Sequence, residues 1–146
     1  VAAYRKAIDA YLADPQHYLL DQALVQELYD SATRRFTTGF YFGNPAGEGQ
    51  DISRSPVPRR YGFCGIALEN SRQDGLVLIE QRNKFSVGEE IEVMKPNGEN
   101  RSVTVRAIVD EEGNAMESAP HPQQVLFIDL GEPLERYDIL RRKEEE

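Results

Sequence analysis

The 146-residue chain has little of what most chemistry is built from: one cysteine, Cys64, and two histidines. A single cysteine excludes an internal disulfide and any zinc or iron–sulfur site made of this chain's own thiolates. It also suits a reducing, cytoplasmic setting. No apolar run approaches the roughly 18–20 residues of a membrane-spanning helix, and nothing resembles a signal peptide, so no membrane partner is expected. The two histidines fit no metalloprotease spacing of the His-Glu-x-x-His kind, and no Gly-x-Ser-x-Gly nucleophile elbow occurs. What is present is globular: 40% of the residues are hydrophobic and 29% charged, too apolar a mixture for wholesale disorder. The chain opens on Val1 inside a helical pattern and reads as a piece of something longer.

The net charge of −8 argues against non-specific coating of nucleic acid. The charge is unevenly placed, however. Residues 1–60 carry seven basic and seven acidic side chains, whereas 61–146 carry ten and eighteen. Within 31–60, Arg34, Arg35, Arg54, Arg59 and Arg60 face only Glu48 and Asp51. A basic connector thus joins a neutral start to an acidic second half. The final Glu144-Glu145-Glu146 reads as a solvated tail over 143–146.

Tyr4, Ile8, Tyr11 and Leu12 recur at helical spacing up to Asp14-Pro15, where the proline ring disfavours helix at the preceding residue. Leu20, Leu24 and Leu28 predict a second helix over about 17–32. Residues 33–60 then hold Gly39, Gly43, Pro45, Gly47, Gly49, Pro56 and Pro58, the composition of an extended connector. From Tyr61 the period becomes two. Strands are predicted at 63–68, 76–79, 91–94, 103–109, 115–118 and 125–130, with Cys64, Ile66, Leu78, Val93, Val105 and Ile128 turned inward. The expected fold is therefore mainly β with an N-terminal helical segment over 1–32, and a small six-stranded antiparallel barrel within 61–142.

Few residues invite a catalytic reading. His121 stands between Pro120 and Pro122 and reads as part of a rigid loop. Cys64 alternates with apolar residues and reads as core. The acidic groups Glu89-Glu90 and Asp110-Glu111-Glu112 lack metal-loop spacing. No catalytic residue, metal ligand or cofactor site is assigned to this chain. Recognition is better supported. Arg34 and Arg35 precede the aromatic run Phe36 to Phe42, with Arg59 and Arg60 at the far end of the connector. Arginine and aromatic side chains together hold phosphates and stack bases of single-stranded RNA. The same residues read equally well as a seal that packs the helices onto the barrel. Arg82 and Lys84, in the segment Arg82-Asn83-Lys84-Phe85, form a second basic turn that either plugs the barrel end or meets a partner.

Five segments in order then resemble the C-terminal region of the collagenase-like peptidases, peptidase family U32. They are Tyr4-Arg5-Lys6-Ala7-Ile8-Asp9, Arg35-Phe36-Thr37-Thr38-Gly39-Phe40, Ile79-Glu80-Gln81-Arg82-Asn83-Lys84-Phe85 with Gly88-Glu89-Glu90-Ile91-Glu92, Ala119-Pro120-His121-Pro122-Gln123-Gln124, and Tyr137-Asp138-Ile139-Leu140-Arg141-Arg142. Gly88-Glu89 stands where the family pattern has Gly-Asp. The resemblance implies a barrel similar to elongation factor Tu domain two, and a catalytic domain upstream of Val1 in the same chain. It places any iron–sulfur cluster in that upstream domain. Members of the family are regarded as peptidases, and some resemble proteins that hydroxylate tRNA or ribosomal RNA bases. Three roles follow as expectations: a non-catalytic accessory domain that positions tRNA, one that positions a polypeptide for proteolysis, or a structural or dimerisation module.

Overall fold

The computed structural model of the chain describes residues 1–32, 36–49, 60–95 and 100–144. Two helices come first, α1 over Ala2–Ala13 and α2 over Gln22–Asp30, and a 3₁₀ turn follows at Ala46–Gly49. The remaining elements are strands: β1 Tyr61–Ala67, β2 Val77–Gln81, β3 Phe85–Ser86, β4 Glu90–Met94 and β5 Arg101–Thr104 in the first half. β6 Ala107–Val109, β7 Ala115–Met116, β8 Ser118–Ala119, β9 Val125–Asp129 and β10 Ile139–Lys143 complete the set.

α1 ends where Pro15 demands, with Asp14 out of the helical region at φ −149° and ψ 83°. α2 is shorter than the 17–32 that the leucine spacing predicts. Asp14 accepts from the His17 backbone N–H at 3.3 Å and meets its Nδ1 at 2.9 Å, which ties 14–17 into a turn. Asp21 then starts the helix by accepting from the Ala23 N–H at 2.8 Å, a strong N-cap. α1 and α2 pack on each other, and Tyr11 meets Tyr18 edge to face at 5.6 Å.

The strands form one curled antiparallel sheet in the order β5-β4-β10-β1-β2-β9-β6-β7, with β3 and β8 paired separately. The loop after β3 donates from Gly88 N–H to Val105 O at 2.8 Å and returns from Val105 N–H to Glu89 O at 2.9 Å, so this small pair closes over the end of β5. Inside the curl lie Val77, Ile79, Phe85, Ile91, Val93, Ile108, Leu126, Ile128 and Leu140, all buried. The mainly β fold with a helical start is therefore present. Its strand count is ten among the described residues rather than six. β3 and β10 were hidden in a turn-like segment and in a run of three cations, 103–109 divides into β5 and β6 at Arg106, and 115–118 becomes β7 and β8.

Two inward assignments need correction. Cys64, Val93, Val105 and Ile128 are buried as expected, but Ile66 and Leu78 are only half-buried. In β1 the pairing jumps from Phe63↔Arg141 to Gly65↔Leu140, a bulge that adds one residue and reverses the alternation beyond it. Ala67 is buried in place of Ile66. Gly65 makes this close approach feasible, since a Cβ there would lie 2.9 Å from the Glu80 carbonyl oxygen. In β2 the unbroken apolar run carries no phase of its own. Val77, Ile79 and Gln81 face the core, and Gln81 Nε2 donates to Ala119 O at 2.9 Å.

Candidate functional site

Three of the basic residues singled out from the sequence, Arg34, Arg35 and Arg59, lie outside the described residues. The other three gather at the end of the sheet where β1 begins. Arg60 precedes β1, and its Nη1 lies 3.0 Å from Oδ1 of Asp30, the last residue of α2. Its carbonyl accepts from the Glu144 N–H at 2.9 Å. Arg82 and Lys84 flank Asn83 in the turn after β2. That turn is fastened to β1, because Arg82 N–H donates to Cys64 O at 2.7 Å and Asn83 Nδ2 to Phe63 O at 2.6 Å.

β10 contributes three cations that sequence reasoning did not assign: Arg141, Arg142 and Lys143. Arg141 lies over the Tyr61 ring at 3.9 Å from its centroid while pairing with Glu92. Arg142 Nη1 lies 2.7 Å from Glu89 Oε2 and 3.3 Å from the Lys84 carbonyl oxygen. The signal was weak: Ile139-Leu140 is too short an apolar run to read as a strand, and the three consecutive cations that follow it resemble a helix end or tail.

Between the end of α2 and the outer face of β1 and β10 runs an open cleft of about 590 Å³. Tyr61, Phe63, Asn83, Ile139 and Arg141 line it. Phe63 is exposed there, and Lys84 makes no ion pair among the described residues. This corner offers an aromatic face, an amide and a free ammonium, the elements that hold a stacked base beside a phosphate. Its field is weakened by pairing, since Arg60 meets Asp30 and Arg82 Nη2 meets Glu80 at 2.7 Å. Burial, then the charge of Glu92, pushes the Tyr61 phenol above its ordinary value. The hydrogen bond to Glu89 raises Arg142. Both groups keep their neutral-pH charge states.

Nothing at this corner resembles a nucleophile with its base. Burial raises the Cys64 thiol, the opposite of activation. His17 pairs with Asp14 on the surface, and His121 is exposed in a turn. Among the described residues no group of three or more His, Cys, Asp or Glu side chains is placed to hold a metal ion. The iron–sulfur cluster of the family resemblance does not fit this chain, whose only thiol is buried in the sheet. No described helix is long and apolar enough to cross a membrane.

The helical start has a different surface. Tyr4, Ile8, Tyr11, Leu12, Leu20 and Tyr29 are exposed, and α1 buries only Ala3. Phe40, Tyr41 and Phe42 follow in a tight double turn, each about four-fifths exposed (77%, 83% and 83%). Gly39 and Gly43 supply its positive φ angles, 52° and 122°. Such a concentration of exposed large apolar side chains within residues 4–42 marks a contact region.

The comparisons divide the chain at the same place. A family model described as the Peptidase family U32 C-terminal domain matches residues 59–141, and one described as Peptidase family U32 matches residues 1–51. The chain is 34% identical over 142 residues to tRNA hydroxylation protein P1 of Bacillus subtilis and 31% identical over 141 residues to tRNA hydroxylation protein P of Escherichia coli. These alignments take in 97% and 95% of the chain but only 34% and 30% of those proteins, so the chain spans about a third of their length. Among solved structures, the C-terminal domain of a protein named as a U32 peptidase from Geobacillus thermoleovorans aligns with a TM-score of 0.52 at 33% identity. That alignment covers 56% of this chain and 99% of the other.

Proposed function

The chain belongs to peptidase family U32, and on that premise we propose that it is a non-catalytic portion of a cytoplasmic enzyme that hydroxylates tRNA. Its helical start and the Phe40-Tyr41-Phe42 turn seat on the remainder of the enzyme. Its barrel helps to position the RNA, with Arg60, Arg82 and Lys84 facing it and Arg34, Arg35 and Arg59 added by the neighbouring sequence. The observation that carries this reading is the 34% identity, over nearly the whole chain, to a protein named for tRNA hydroxylation. The exposed apolar surface coincides with the 1–51 match, and about two-thirds of that relative's length lies outside the alignment, which supports the seating.

A second reading, positioning of a polypeptide, is favoured by the peptidase description of the family. Binding of labelled tRNA and of denatured collagen to the 146-residue chain, measured across a salt series, separates the two. The tRNA reading expects salt-sensitive tRNA binding that weakens in R60A/R82A/K84A, the log-affinity slope flattening by about 0.7–0.9 for each phosphate no longer neutralised. Binding of collagen but of no RNA would overturn it.

A further inference from the structure

Nine arginines lie among the described residues, and six of them have a carboxylate within 4.0 Å: Arg5, Arg60, Arg82, Arg101, Arg141 and Arg142. The three with none among those residues, Arg72, Arg106 and Arg136, are not scattered. All belong to the loops at the end of the sheet where β1 finishes, roughly 20 Å along that strand from Arg60.

Those loops are fastened together. Ser71 N–H donates to Leu134 O at 2.9 Å, and Leu134 N–H returns to Ser71 Oγ at 2.8 Å. Arg136 N–H donates to Asn70 Oδ1 at 2.8 Å, and Arg106 N–H to Asp129 O at 2.8 Å. The guanidinium groups are held by flat packing rather than by counter-charge. Arg72 lies 4.9 Å over the Phe127 ring. Arg106 lies on Gly131, so close that a Cβ there would fall 2.0 Å from its Cζ. Gly131 has φ +71°, so conformation and contact both call for glycine.

Arg72 and Arg106 open onto one cleft of about 360 Å³, which Asp74 and Asp129 also line. One oxygen of each carboxylate is engaged by backbone: Asp74 Oδ1 accepts from Leu76 N–H at 3.1 Å and Asp129 Oδ1 from Gly131 N–H at 2.7 Å. Glu132, the third acid of the lining, meets Arg101 at 3.4 Å. Two guanidinium forks with no ion pair among the described residues, sharing a cleft with two carboxylates, are a mixed site. A simple anion would be repelled by the acids, and a cation by the forks. A ribose-phosphate satisfies both, its phosphate taking the forks and its hydroxyl donating to a carboxylate oxygen.

We propose that the Arg72/Arg106 cleft binds the ribose-phosphate backbone of RNA, with Asp74 and Asp129 reading the 2′-hydroxyl. This rests on the tRNA reading above and adds a second contact on the barrel, at the opposite end of β1. Arg136 over the exposed Tyr137 ring, 4.7 Å from its centroid, stands on the same joined loops and offers the neighbouring base a stacking face.

The test measures tRNA affinity against salt for the whole chain, its R72A/R106A variant and its D74N/D129N variant, with DNA of the same sequence alongside. The arginine pair is expected to weaken tRNA binding about tenfold or more and to flatten the salt slope by about 0.7–0.9, one phosphate. The aspartate pair is expected to narrow the preference for RNA over DNA. Where alanine disturbs the loops by circular dichroism, R72Q/R106Q repeats the measurement with the aliphatic stems kept and a neutral amide in place of each guanidinium. Intact tRNA binding with an unchanged slope overturns this cleft and leaves the tRNA reading standing. No tRNA binding by the unmodified chain overturns both. Collagen binding that disappears in the arginine variants would assign the cleft to polypeptide, and so would also overturn it.

Discussion

Lys95→Met should be among the more destabilising single changes in the curled sheet, because it strands a buried carboxylate. Lys95 Nζ lies 3.1 Å from Asp138 Oδ2, with the lysine side chain 20% exposed and that of the aspartate 1%. The same oxygen accepts from the Glu135 N–H at 2.9 Å, whereas Oδ1 has no hydrogen-bond partner among the described residues. At that separation and an effective dielectric near 20, the Coulomb attraction is about 5 kcal/mol. Most of it offsets desolvation, but deleting one partner leaves the other charge buried, at a cost of roughly 3–5 kcal/mol. Asp138→Asn is expected to cost less, since the lysine can turn to water and the amide oxygen can still accept from Glu135. The double variant should therefore be markedly less unstable than the sum of the two. Urea unfolding of the whole chain reads this as a fall in midpoint of about 1–3 M for Lys95→Met at an unchanged slope. A loss below about 1 kcal/mol, or additivity within about 0.5 kcal/mol, would refute the argument. The pair also matters to the site. Asp138 closes the 135–138 turn on Glu135, with Tyr137 inside it at φ 76°, and that turn presents Arg136.

Two further outcomes test the sheet. Ile79→Ala should cost roughly 3–4 kcal/mol, as a fully buried isoleucine leaving a cavity, and Ile66→Ala only about 1 kcal/mol; equal or reversed losses in denaturant melts would mean the β1 bulge is misplaced. Asp110 is held below the usual carboxylate range by the side chain and then the backbone N–H of Asn114, at 2.9 and 2.7 Å. Its contribution is thus present above the unfolded pKa and lost as pH falls through the lower folded value. Asp110→Ala should be less stable than the parent at neutral pH and equal to it in strong acid, and a difference in melting temperature that persists at low pH would contradict this.

What the sequence could and could not reveal divides along local and tertiary lines. The end of α1 at Pro15 and the inward Val93 and Ile128 follow from local rules, a ring clash and an alternation. The reversal at Ile66 does not, because a bulge depends on the partner strand, and Leu78 sits in a run with no alternation to read. The connector's basic excess was visible as composition. Which arginines lack a carboxylate partner among the described residues was not, since Arg60 meets Asp30 thirty residues away while Arg72, Arg106 and Arg136 meet none there, a matter of how three separate segments come together. The acidic average of the barrel half concealed them.

The position of β10 has a consequence for biosynthesis. It is the last described strand in the chain, yet it lies between β4 and β1 and pairs with both. Until residues 139–143 have been made, β5-β4 and β1-β2-β9-β6-β7 are separate pieces, each with an open hydrogen-bonding edge facing the gap. A growing chain must carry the β1 edge through the synthesis of roughly 75 further residues and the β4 edge through roughly 50, at the usual pace of 5–20 residues per second. Closure then draws together segments distant in sequence, the slow kind of step in which exposed strand edges invite pairing with another chain.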